Sequence, residues 1–107
     1  MNQLKEKTIK KIVAFCKVEL CIMDSVTVEV HLKDLTKDNA YGWCYKKNNK
    51  PYKIEIEKTL TKDEMLVILC HEMVHVRQYS EGDRSNEREA EELEVELVEK
   101  YKLIVKK

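Results

Sequence analysis

Apolar positions along this chain switch between two spacings, and each switch marks an element. Residues 3 to about 18 place Leu4, Ile9, Ile12, Val13 and Cys16 near helical spacing with lysines between them. This predicts an amphipathic helix that covers one side of a sheet. From Val26 the period becomes two: Val26, Val28, Val30 and Leu32 point one way, Thr27, Glu29 and His31 the other, as in a half-buried strand. Tyr41, Trp43 and Tyr45 alternate with Gly42 and Cys44 in a second strand. Tyr52, Ile54 and Ile56 alternate with Lys53, Glu55 and Glu57 in a third. Asn48-Asn49 between them suits a tight turn, because Asn tolerates positive φ. Strands this close in sequence predict a largely antiparallel meander.

Helical spacing then returns. Thr61-Lys62-Asp63-Glu64 reads as a capping box, with Thr61 as N-cap and Glu64 three residues on. The helix it starts runs to about Tyr79 or Ser80, with Met65, Leu66, Ile68, Leu69 and Val76 for packing. Gly82 fits the left-handed residue beyond a helix end. Ser85 or Asn86 caps a last helix reaching about Ile104, with Ala90, Leu93, Leu97, Tyr101 and Ile104 on one stripe. The 107 residues are read as one α+β domain. Its parts are an N-terminal helix, a three-stranded largely antiparallel sheet, a central helix and a C-terminal helix.

Charge changes this picture little. Twenty Lys and Arg balance twenty Asp and Glu, so net charge argues for neither nucleic acid nor membrane. Cys16, Cys21, Cys44 and Cys70 form no CxxC pair, and the apolar run Ile12 to Cys16 ends at Lys17 and Glu19. That run is too short for a signal-peptide core, so reduced thiols in a cytosol are expected. The acids of the last helix, Glu87 to Glu99, form mainly a solvated face, placed as the helix dipole prefers.

The central helix carries the chemistry. His71-Glu72-Met73-Val74-His75 is an HExxH sequence, and residues four apart on a helix share a face, so both imidazoles can grip one ion. Two imidazoles and a carboxylate leave a fourth position for water, as catalytic zinc sites do. Zn2+ would bring that water toward neutrality, with Glu72 as general base. A helical wheel leaves Glu87, Glu89 and Glu94 as sources of the carboxylate. Tyr79, Arg77, Tyr41, Tyr45 and His31 are candidates to steady an oxyanion.

HExxH followed by an acid on the next helix resembles the gluzincin type of zincin metallopeptidase. The string from His71 through Tyr79, then Glu87-Arg88-Glu89-Ala90, resembles the small SprT-like peptidases of phages and bacteria. Tyr41-Gly42-Trp43-Cys44 and Ile54-Glu55-Ile56 are similar to the strands before their active helix. The resemblance implies a minimal zincin fold and a Glu-Ala pair bearing the third ligand, which here is Glu89-Ala90. His71, His75 and Glu89 then hold zinc. Many gluzincins also carry an acid four residues after that ligand, orienting a zinc histidine. Leu93 stands there in this chain, leaving Glu94 and Glu87 as substitutes. The implied function is zinc-dependent hydrolysis of peptide bonds in a peptide or protein substrate, in a bacterial or phage-infected cytosol. The alternative is a zinc-containing regulatory or binding module of a mobile element that cleaves little.

Overall fold

The computed structural model describes residues 4–106. They form α1 (Glu6–Glu19), β1 (Val28–Lys33), a 3-10 turn (Thr36–Asp38), β2 (Gly42–Lys46), β3 (Tyr52–Glu57), α2 (Lys62–Ser80) and α3 (Glu87–Val105). The class is α+β. Helix α2 is the central element: Met65, Leu69, Cys70, Met73, Val74 and Val76 are buried around it, and it packs on β2, β3, α1 and α3. Its start is the capping box, with Thr61 Oγ1 accepting from the Glu64 N–H (3.2 Å) and Glu64 Oε1 accepting from the Thr61 N–H (2.9 Å). That reciprocal pair satisfies two donors that a helix start leaves open.

The meander is corrected. The strand order is β1-β3-β2, with β1 parallel to β3 and β2 antiparallel to β3. The sheet is therefore mixed, and β3 lies between the two strands that precede it. The β2–β3 turn does close tightly, with Lys50 N–H on Lys47 O (3.1 Å) and Asn49 at φ 60°. The connection from β1 to β2 explains the difference. Leu35 is buried, and its N–H donates to the Glu57 carboxylate at the end of β3. Thr59 donates to the same carboxylate through N–H and hydroxyl. Residues 34–41 are thereby tied across the end of β3, leaving a strand's width beneath them. Alternation alone carries no record of that tie.

A central strand has both edges paired, and β3 shows how acids survive burial there. Ile54 and Ile56 face the helices, while Glu55 and Glu57 are buried as well. Glu55 accepts from Trp43 Nε1 (2.6 Å) and Tyr45 OH (3.3 Å) and pairs with Lys33 Nζ (2.9 Å). Burial is the largest single effect on its carboxyl and pushes the pKa up, but these three donors together hold it below the usual range. A carboxyl with a depressed folded pKa contributes stability above its unfolded pKa of about 4.3 and loses it as pH falls through the folded value. Glu55→Gln should therefore lie below wild type in denaturant midpoint at neutral pH, and the gap should close in acid. A gap that is constant with pH would contradict this account of Glu55.

β2 approaches α2 closely at one residue. A Cβ on Gly42 would lie 2.5 Å from Ile68 Cγ2 and 3.1 Å from the Glu55 carbonyl oxygen. Ile68 is β-branched on a helix and holds one rotamer, so it yields little. Gly42→Ala should cost about 1–3 kcal/mol, read as a lower denaturant midpoint; an unchanged midpoint would mean the strand shifts freely.

The outer helices complete the core. α1 buries Ile9, Ile12 and Cys16, but packs on α2 and α3 and only lightly on the sheet it was expected to cover. Phe15 meets Tyr101 of α3 edge-on, ring centroids 5.4 Å apart. Asn86 caps α3 through the Glu89 N–H (3.0 Å), and Ala90, Leu97 and Tyr101 are buried while Ile104 is exposed. All four cysteines are free, Cys16 and Cys70 buried with sulfurs 3.9 Å apart. No helix among the described residues is long and apolar enough to cross a membrane.

Candidate metal centre

His71 and His75 lie one turn apart on α2, ring centroids 4.9 Å apart. Both Nε2 atoms face one carboxylate, that of Glu87: His71 Nε2 is 3.0 Å from Oε2 and His75 Nε2 is 2.7 Å from Oε1. One ligand atom from each of the three residues falls within 4.8 Å of the others. Glu87 is the first residue of α3, and its placement follows from Gln78. That buried amide accepts from the Asn86 N–H (3.0 Å) and donates to the Asn86 carbonyl (3.1 Å), fixing where α3 begins. The helix then turns Glu87 back over α2.

Glu89, the third ligand that the resemblance implied, is elsewhere. Its carboxylate accepts from Gln78 Nε2 (2.8 Å) and pairs with Arg77 (2.7 Å). Those two partners, Gln78 first, hold its pKa below the usual carboxylate range. Two residues along a helix is a turn of about 200°, so Glu87 and Glu89 cannot face the same ion. Glu91 and Glu94, four and seven residues after Glu87, share its face, and both line the cleft in front of the histidines.

The remaining imidazole nitrogens are also committed. His71 Nδ1 is 2.6 Å from Glu94 Oε1, and His75 Nδ1 is 2.8 Å from Gln78 Oε1. The amide orientation of Gln78 is set by its other partners, since its nitrogen serves two acceptors. Both acceptors facing Nδ1 therefore require N–H there, which leaves Nε2 as the lone pair in each neutral ring. Two Nε2 atoms and a carboxylate thus converge, an arrangement that could hold a metal ion. Of the two acids the resemblance left in place of Leu93, Glu94 is the one that meets His71 Nδ1, while the contact from Gln78 had no sequence signal beyond standing three residues after His75. For His71, burial is the largest effect and lowers its pKa. Glu94, Glu72 and Glu87 together more than offset that and raise it.

Glu72 is buried at the floor of the same cleft, which holds about 510 Å³. Burial raises its pKa against the pull of His75 and His71, and the charges of Glu87 and Glu94 add to the rise. Of the oxyanion candidates, Tyr41 alone lines this cleft. Tyr45 and His31 lie in register with the outer face around Glu55, Arg77 is held by Glu89, and Tyr79 stacks on His75 with centroids 6.1 Å apart. No family model matches this chain, and no curated protein or solved structure is significantly similar to it.

Proposed function

We propose that this protein is a zinc-dependent peptidase of minimal zincin type, with His71, His75 and Glu87 holding the ion. The observation that carries the reading is the convergence of two Nε2 lone pairs and one carboxylate, each ring locked from behind by an acceptor on Nδ1. Closed structural zinc sites use four protein ligands, whereas three ligands facing an open cleft are the catalytic pattern. Zinc held there would supply Lewis acidity toward a carbonyl and a lowered pKa for water. Glu72, with its raised pKa, takes the proton of the attacking water and passes it to the leaving amine. The Tyr41 hydroxyl donates to the carbonyl oxygen as it gains charge. Glu72, Glu87, Glu91 and Glu94 make the cleft acidic, which suits a peptide and repels a phosphate backbone.

The test is a mixed peptide library incubated with the zinc-loaded protein. Cleavage that stops on chelation and returns with zinc supports the reading. No cleavage of any peptide by a protein carrying one zinc per chain would favour the binding module instead.

A further inference from the structure

We propose that two copies of this chain pair antiparallel through β1, with Val30 on the two-fold axis, to make one six-stranded sheet. β1 is an edge strand, bonded only to β3 among the described strands. Thr27 O and Lys33 O accept from Tyr52 N–H and Lys58 N–H, both at 2.9 Å. In a parallel pair the bonding residues alternate, so the odd-numbered residues of β1 bond β3. The N–H and C=O groups of Val28, Val30 and Leu32 therefore point outward. Edges are blunted by proline, a bulge, inward charge or charged side chains; β1 has no proline or inward charge, and its charged residues Glu29 and Lys33 lie on the outer face.

The sequence of the edge is self-complementary in one register. With Val30 opposite Val30, Val28 faces Leu32, and all three outward residues form bonded pairs. Glu29 then falls opposite His31 twice, in the close non-bonded positions, so the carboxylate–imidazole contact that the two make within one chain (3.3 Å) is exchanged for one across the seam. Apolar side chains meet apolar ones on the inner face, and acid meets base on the outer. The inner face also has room. α1 leaves a groove of about 720 Å³ against this edge, lined by Ile9, Val13, Val28 and Leu32 together with the charged Glu6, Lys10 and Lys17. Val28, Val30 and Leu32 are only partly buried in a single chain. The metal cleft is bordered by β2 and stays free in the pair.

Sedimentation velocity over a wide concentration range tests this. Wild type should reach twice the 12.7 kDa chain mass. His31→Glu sets glutamates opposite each other in two places and should weaken pairing roughly tenfold. The exchange Glu29→Lys/His31→Glu should restore it. Val30→Pro removes only an outward N–H, which an edge strand tolerates, so it should remain folded by circular dichroism and be monomeric. A wild type that stays at the single-chain mass throughout overturns the proposal. So does a dimer indifferent to His31→Glu, or one that the exchange fails to restore; these two charge tests decide the matter even if Val30→Pro does not fold.

Discussion

Glu72→Gln is expected to keep zinc bound and to lower kcat on any cleaved peptide by about 10²–10⁴-fold, the range for a general base. The substitution preserves the shape of a buried side chain that lies beside two imidazoles without being one of the three converging ligand groups. It replaces an ionisable carboxyl, whose pKa burial raises, with an amide that cannot accept a proton at any working pH. Because the loss concerns proton transfer rather than binding, KM should move far less than kcat. Turnover by Glu72→Gln at the wild-type rate would contradict the role given to this residue. Loss of zinc from the variant would show that Glu72 holds the ion rather than the proton.

The second large effect concerns the ion itself. Glu87→Ala removes one of the three proposed ligands, and should weaken zinc binding by more than the roughly 10–100-fold typical of an outer partner. Gln78→Ala and Glu94→Ala should fall within that range, since each releases one ring from its Nδ1 acceptor. Glu89→Ala leaves all three ligand atoms in place, disturbing only the Gln78 and Arg77 contacts, and should bind zinc within a few-fold of wild type. Competition with a chromophoric chelator ranks the four variants. If Glu89→Ala is the weakest binder, the carboxylate has been misassigned.

Much of the fold was legible because local rules decided it. The capping box at Thr61, the Asn86 cap, Gly82 at φ 80° and Asn49 at φ 60° each follow from side-chain or backbone chemistry within a few residues. The strand order did not follow, because it depends on the Glu57 carboxylate gripping Leu35 across the end of β3. A period of two reports which face a residue takes and says nothing of which neighbour it meets. The candidate site divides in the same way. HExxH is a local spacing and was visible at once. The choice among Glu87, Glu89 and Glu94 depends on where α3 starts relative to α2, which Gln78 fixes by bonding both backbone groups of Asn86. A Glu-Ala pattern carried over by resemblance holds no record of that phase, and neither does the run of acids from Glu87 to Glu99, which offers more than one stripe at helical spacing.

The most direct test of the metal centre is anomalous diffraction from crystals grown with one equivalent of zinc. A single peak is expected about 2.0–2.2 Å from His71 Nε2, His75 Nε2 and a Glu87 carboxylate oxygen, with both Nδ1 contacts intact. A peak coordinated by Glu89, or none at the His71–His75 pair, would contradict it.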